Sequence, residues 1–194
     1  MANPRLEERL LTAEEFYQLP EPEEGGKLEL IDGRVMHEMP VSSEHGAIVM
    51  LLGRILGTFV AAHKLGRLMS KTGFLLRRSP DVVLAPDVSF VSRATITERG
   101  LPREGWVPYP PDLAIEVVSP SNLDVDVAYK VEQYLNADVT RVWVVRPRTK
   151  TVTVHLPDHT ARTLLPGNSL TSQDAGFKQP GFELPLDELF AEDF

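Results

Sequence analysis

Residues 113–145 read LAIEVVSPSNLDVDVAYKVEQYLNADVTRVWVV. The stretch begins with an apolar run over 113–118, which Pro120 stops. Apolar residues then recur at helical spacing over about 124–136, and a second apolar run follows at 141–145. Strand, helix and strand in this order predict a parallel βαβ unit, because parallel strands need a crossover connection. We therefore expect the α/β (α+β) class with a mixed sheet.

The N-terminal part of the chain predicts a short helix followed by a hairpin. Residues 12–15 (TAEE) form a capping box, which begins a helix that reaches about Leu19. The runs 28–31 and 34–36 flank Asp32-Gly33, a dipeptide typical of two-residue hairpin turns. This predicts an N-terminal helix-hairpin that precedes the core.

The rest of the chain predicts further elements around the βαβ unit. A long helix over about 44–64 carries Ser42 or Ser43 as its cap, with Gly66 just beyond its end. The remaining predictions are strands at 68–78 and 82–91, an irregular insertion at 93–111, a C-terminal β extension with strands at 151–156 and 161–165, a connection at 166–181 and a short turn at 186–190.

Length and composition predict one domain over residues 1–194. The chain has 194 residues and no cysteine, which excludes disulfides, thiolate zinc sites and a cysteine nucleophile. Polar, charged sequence follows Met1, so no signal peptide is visible, and we expect no apolar run that approaches the roughly 20 residues of a membrane span. These features predict a cytoplasmic protein without a membrane partner.

The negative charge lies at the two ends of the chain. The net charge is −8, which by itself argues against a phosphate-rich partner. Residues 1–44 contain eleven acidic and four basic residues, and 174–194 contain six and one. Residues 45–173 contain eleven acidic and fifteen basic residues. A modest basic surface fits this distribution, but a strong nonspecific DNA binder does not.

Two carboxylates stand where a charge is costly. Asp87 opens an apolar run, and Glu116 lies inside the run 113–118 on the same face as Ala114 and Val118. A buried unpaired charge costs several kcal/mol or is neutralised by a shift of its pKa. One interpretation is a site for Mg²⁺, which takes one or two protein carboxylates plus phosphate and water. The other is a glutamate that is satisfied by a buried arginine or by backbone N–H groups.

Lys130 lies at the border of the apolar stripe of the helix at 124–136. With Val127 at 0° and about 100° per residue, Lys130 falls near −60°, so its side chain can reach back toward the strand at 113–118. There it would hold a phosphate, steady a water or stabilise developing charge. The alternative is a solvent-exposed i,i+4 pair with Asp126, worth about 0.3–0.5 kcal/mol.

Glu29 and His45 are weaker candidates on the residues alone. Glu29 alternates with two leucines, so it is either a third carboxylate near a metal or, more simply, part of the polar face of the hairpin. His45 lies in the first turn of the long helix, on the stripe that contains Ile48 and Leu52. A lone histidine there is more often a packed or capping residue than a ligand.

Blocks in order along nearly the whole chain resemble the Uma2 (DUF820) family. They are TAEEF (12–16), LELIDG (28–33), SSEH (42–45), PDVSFV (86–91), PDLAIEVVSPS (111–121), Asp126 with Lys130, Tyr134, VWVV (142–145) and PGF (180–182).

The resemblance implies a restriction-endonuclease-like core of the PD-(D/E)xK nuclease superfamily, flanked by helices. It places Asp87 as the PD aspartate and Glu116 as the acid of the (D/E)xK element. Val118 stands where the lysine of that element belongs, and the family position on the next helix matches Lys130. The resemblance also strengthens Glu29 and His45 as site residues.

The function that follows is a Mg²⁺- or Mn²⁺-dependent DNA endonuclease, in which Asp87 and Glu116 bind the ion. An alternative is a non-catalytic scaffold that retains the fold and binds nucleic acid or protein; the acidic balance and the missing lysine favour it. In a third interpretation the carboxylates form a structural ion-pair network. A homodimer is expected because cutting two strands suits two-fold symmetry.

Overall fold

The computed structural model describes residues 9–120 and 122–191. Ser121, part of one of the quoted blocks, lies outside the described residues. The helices are α1 (Ala13–Tyr17), α2 (Ser43–Ala62), α3 (Arg93–Arg99), α4 (Asp124–Asn136) and α5 (Leu186–Leu189). The strands are β1 (Lys27–Ile31), β2 (Arg34–Glu38), β3 (Gly66–Met69), β4 (Phe74–Arg77), β5 (Val82–Leu84), β6 (Val88–Ser92), β7 (Leu113–Val117), β8 (Arg141–Arg146), β9 (Thr151–His155), β10 (Ala161–Leu164), β11 (Ser169–Thr171) and β12 (Glu183–Pro185).

The predicted βαβ unit is confirmed and lies at the centre of a six-stranded sheet. The strand order is β10-β9-β8-β7-β6-β3. Strands β7 and β8 pair in parallel across α4, while the other strand pairs of this sheet are antiparallel. The sheet is therefore mixed, as the sequence predicts.

Helices α2 and α4 cover opposite faces of this sheet. In β7, Leu113, Ile115 and Val117 pack in one core with the buried face of α2. Ala114, on the other face of β7, packs instead with residues of α4 such as Val127. Because side chains of a strand alternate between faces, Glu116 points with Ala114 toward the α4 side.

The hairpin β1–β2 belongs to a second sheet, with strand order β2-β1-β5-β4. The chain passes from this sheet to the six-stranded one between β5 and β6, through Ala85-Pro86-Asp87. A proline has no N–H to donate to a strand ladder, so the crossing interrupts pairing at Pro86. The predicted single strand at 82–91 was therefore wrong: it is two strands in two sheets.

Other predicted elements differ from the structure in similar ways. The strand predicted at 68–78 is β3 and β4, separated by a segment in which Lys71 has a positive φ of 50°. The insertion at 93–111 begins with α3, which is capped by the Ser92 side chain. The connection at 166–181 contains β11, which pairs with β12. These elements are short and lie among many turn residues, so the periodic spacing of their apolar residues was too brief to recognise in the sequence.

The sequence predicts no apolar run that approaches the length of a membrane span, and helix α2 contradicts this expectation. Over the described residues it is the one helix that is long and apolar enough to cross a membrane, judged by length and composition only. Its side chains Ile48, Leu52, Leu56 and Val60 are buried against the six-stranded sheet. A core helix passes the same test of length and composition, so this finding is weak support for a membrane span.

Candidate functional site

A cavity of about 470 Å³ lies where the hairpin, the end of β7 and helix α4 meet. Its lining includes all five residues that the sequence singles out, and they come from five different segments of the chain. They are Glu29 of β1, His45 of α2, Asp87 of the crossing, Glu116 of β7 and Lys130 of α4.

Asp87 is held on the floor of this cavity by two hydrogen bonds. The backbone N–H of Val117, which follows Glu116, donates to Oδ2 of Asp87 at 2.9 Å. Nε2 of His45 donates to the same oxygen at 3.1 Å. Burial raises the pKa of Asp87, but the His45 hydrogen bond and the charge of Lys27 outweigh it and hold that pKa below its ordinary value. Asp87 is therefore an ionised carboxylate beside the strand that carries Glu116.

His45 owes its position to the start of α2. The side chain of Ser42 caps the helix and accepts a hydrogen bond of 3.2 Å from the backbone N–H of His45. The histidine is thus in the capped first turn and is buried at 3% exposure. It packs as the sequence suggests, yet its ring contacts Asp87. Its other ring nitrogen, Nδ1, has no hydrogen-bond partner among the described residues.

Glu116 is a buried carboxylate in contact with a tyrosine. The hydroxyl of Tyr134, on α4, donates a hydrogen bond of 2.7 Å to Oε1 of Glu116. This partner differs from the buried arginine or backbone N–H groups considered for it. Burial raises the pKa of Glu116 to about 7, against the opposing charges of Lys130 and Lys27. The site thus has a carboxylate that is only partly ionised near neutral pH.

Lys130 is buried at 7% exposure and forms ion pairs with carboxylates of the hairpin. Its Nζ lies 2.6 Å from Oε2 of Glu29 and also contacts Glu38. The alternative of an exposed pair with Asp126 is therefore wrong. Burial disfavours the charged form, but the carboxylates of Glu116 and Glu29 raise the pKa of Lys130 above its ordinary value. The lysine is a stable cation inside the cavity.

Glu29 is 1% exposed, so the simpler interpretation of an exposed polar face on the hairpin was wrong. Its Oε1 accepts a hydrogen bond of 2.9 Å from the backbone N–H of Ala85 and lies 3.2 Å from Nζ of Lys27. Ala85 is two residues before Asp87 in the chain. Glu29 therefore connects the hairpin both to the crossing and to Lys130.

The sequence interpretation missed Lys27 and Glu38, which complete this network and are partly exposed. Lys27 Nζ lies 3.2 Å from Oε2 of Glu38 and donates a hydrogen bond of 2.6 Å to the carbonyl of Ala85. Burial lowers the pKa of Lys27, but the surrounding carboxylates, Glu116 foremost, raise it well above its ordinary value. A signal did exist: a two-residue turn at Asp32-Gly33 fixes the register that sets Lys27 opposite Glu38.

The donor chemistry of the cavity fits a hard divalent cation. Among residues 9–120 and 122–191, no group of three or more histidine, aspartate and glutamate side chains is arranged to hold a metal ion. Mg²⁺ nevertheless needs only one or two protein carboxylates, because phosphate and water supply its other oxygen ligands. Asp87 and Glu116 are two carboxylates that line the same cavity. These two residues would hold the ion.

Comparisons with known proteins agree with the architecture. The family model Uma2, described as "Putative restriction endonuclease", matches residues 13–187. The fold is similar to the crystal structure of a protein from Anabaena variabilis described as a putative nuclease belonging to DUF820, with a TM-score of 0.75. That alignment has 22% sequence identity and covers 93% of this chain and 98% of the other. A search of curated proteins gave no significant match.

Proposed function

Because this chain belongs to the Uma2 family, we propose that it is a divalent-metal-dependent DNA endonuclease of the PD-(D/E)xK type. One observation carries the proposal: Asp87, Glu116 and Lys130, far apart in sequence, line one cavity. The family and the fold support a nuclease-like function. The identity of the ion, Mg²⁺ or Mn²⁺, and the choice of DNA are part of the proposal.

The roles of the two carboxylates follow from their surroundings. When bound, the ion supplies Lewis-acid polarisation of the scissile phosphate and lowers the pKa of a water molecule. Asp87 is ionised and fixed by Val117 and His45, so it offers a preorganised ligand. Glu116 loses its proton near neutral pH, and Tyr134 orients it through a hydrogen bond.

Lys130 supplies the positive charge that the (D/E)xK lysine provides elsewhere. A phosphodiester gains negative charge on its oxygens in the transition state, and a fixed cation in a water-poor cavity stabilises that charge. Lys130 remains protonated because Glu116 and Glu29 surround it. Its ion pair with Glu29 at 2.6 Å restricts where Nζ lies, which makes Glu29 a positioning residue.

Cleavage of DNA by the purified protein with Mg²⁺ or Mn²⁺ tests the proposal. The wild type is expected to cut only with the divalent ion, and Asp87→Ala is expected to abolish cutting. Asp158→Ala, at an exposed position in the β9–β10 turn, is the matched control and should cut normally. Undiminished cleavage by Asp87→Ala would overturn the assignment.

A second candidate function is a scaffold that binds nucleic acid or protein without cutting. It is favoured by the net charge of −8 and by Val118 in place of the expected lysine. Calorimetry with Mg²⁺ or Mn²⁺ separates the two functions. For the nuclease, the wild type should bind the ion and the Asp87→Ala/Glu116→Ala protein should not. Absence of binding by both proteins would favour the scaffold.

We also propose a homodimer and a cytoplasmic location. Two copies related by a two-fold axis would present two sites, one to each of two DNA strands. The absence of cysteine fits a reducing compartment. Light scattering of the purified protein measures the oligomeric state, and fractionation of the source cells measures the location.

A further inference from the structure

The carboxylates at the base of the proposed site are buried. Glu29, Asp87 and Glu116 are 1%, 4% and 7% exposed. The cavity above them, about 470 Å³, is within the range of pockets that enclose a single small ligand, roughly 300–1,000 Å³. A rigid duplex is wider than such a pocket, so its paired bases would stay outside. One nucleotide, freed from its partner strand, can enter.

One wall of the cavity is apolar and accessible. Met36 of β2 and Met39 and Val41 of the following loop line it, and they are 47%, 53% and 40% exposed. We call these three residues the apolar wall. Tyr129 of α4 also lines the cavity. Exposed apolar groups that are grouped beside a polar site mark a surface that binds a ligand.

The charges around the cavity do not suit a double helix. Its lining contains six carboxylates against two cationic side chains, Arg34 and Lys130. Duplex binding depends on several lysine and arginine contacts to phosphates along both strands. Single-strand binding also uses positive charge, but it gains further affinity from the packing of bases against side chains, aromatic ones above all, which every base can make. The apolar wall offers that contact within the same cavity as Asp87 and Glu116.

We propose that this site takes an unpaired nucleotide of single-stranded DNA, with its base packed on the apolar wall and its phosphate near the divalent ion that Asp87 and Glu116 would hold. The cleavage step rests on the function proposed above; the base subsite does not. Duplex DNA is then a substrate only where it is open, since removing a nucleotide from a paired stack costs free energy.

Cleavage of one labelled sequence in three forms tests the proposal. The forms are a single strand, a blunt duplex and a duplex with a central unpaired bubble, each with Mg²⁺ or Mn²⁺. We expect the single strand and the bubble to be cut at least about ten-fold faster than the blunt duplex, which corresponds to about 1.4 kcal/mol. Cuts in the bubble substrate should fall within the unpaired segment.

Binding of the single strand without cleavage tests the base subsite separately. Fluorescence anisotropy of a labelled oligonucleotide in Ca²⁺, with intact substrate checked on a gel, gives its affinity. Replacement of the apolar wall methionines, Met36→Ser/Met39→Ser, should weaken single-strand binding by about ten-fold, because base packing on side chains is lost. Met50→Ser is the matched control, since Met50 is 74% exposed on α2 and lies outside the cavity lining.

The outcomes separate this inference from the proposed function. Equal or faster cutting of the blunt duplex would overturn the single-strand inference and leave the nuclease standing. Single-strand binding that the Met36→Ser/Met39→Ser protein loses, in the absence of any cleavage, would support the base subsite and count against hydrolysis. Failure to bind the single strand, or equal binding by the double variant and the wild type, would overturn the base subsite.

Discussion

Nζ of Lys130 lies 2.6 Å from Oε2 of Glu29, which joins helix α4 to the hairpin across the cavity. Both side chains are buried, with Glu29 1% and Lys130 7% exposed. The carboxylate of Glu29 thus fixes the position of Lys130, the lysine to which we assign the positive charge of the proposed nuclease. The position of this charge depends on packing between two segments that are distant in sequence.

Lys130→Met is expected to reduce kcat/KM for DNA cleavage by about 10²–10³-fold, because a fixed charge near the phosphate is lost. Binding of Mg²⁺ should persist, since a cation is removed from among carboxylates. Cleavage kinetics and calorimetry measure the two effects. Cleavage within a few-fold of the wild type, together with a large loss in Lys27→Met, would instead assign the charge to Lys27.

Lys27→Met is expected to lower the free energy of unfolding by about 3 kcal/mol, because Glu29 and Glu38 lose a buried partner. The carbonyl of Ala85 also loses a donor. Urea unfolding measures the change, and added Mg²⁺ should restore part of it by compensating the carboxylates. Lys178→Met, at an exposed position, should unfold like the wild type. Equal stability of the two variants would contradict a structural role for Lys27.

Glu116→Gln is expected to change how stability depends on pH. The folded-state pKa of Glu116 is about 7, against an ordinary value of 4.5. Between these values the folded protein binds more protons than the unfolded chain, so the contribution of Glu116 to stability falls as pH rises. Glutamine cannot titrate. Between pH 5 and pH 8, the free energy of unfolding of the variant should therefore rise by about 1–3 kcal/mol relative to that of the wild type.

Unfolding in urea at pH 5 and at pH 8 measures this difference. Mg²⁺ should stabilise the wild type more than Glu116→Gln at pH 8, because a ligand that binds only the folded state shifts unfolding. If the carboxylates are a structural ion-pair network, Glu116→Gln should instead be less stable than the wild type at pH 8.

Tyr134→Phe is expected to shift metal binding to higher pH. The hydroxyl donates to Glu116 and favours its ionised form, so its removal raises the pKa of that carboxyl. The fold should lose about 1–2 kcal/mol. Calorimetric titration with Mg²⁺ across pH 6–8 measures the shift. Tyr109→Phe, which removes a hydroxyl bonded to the carbonyl of Gly100, is the control and should leave the pH dependence unchanged. If the pH dependence of Mg²⁺ binding is the same in Tyr134→Phe as in the wild type, this tyrosine has no role in metal binding.

Local patterns predicted much of the fold and part of the site. The βαβ unit, the hairpin and its turn, and the capped start of α2 follow from periodicity and capping within short windows. The helical phase placed Lys130 correctly at the edge of a buried stripe. The split of 82–91 into two strands was missed, because a window of ten residues does not tell which sheet each half joins.

The sequence by itself determined which elements form and which faces of them are apolar, because backbone geometry repeats over a few residues. Only the tertiary structure decided which charges meet. Glu29 is an acceptor for Ala85 and a partner of Lys130 because the hairpin packs beside the crossing and beneath α4. Burial and ion pairing depend on neighbours that are distant in the chain, and no local pattern records them.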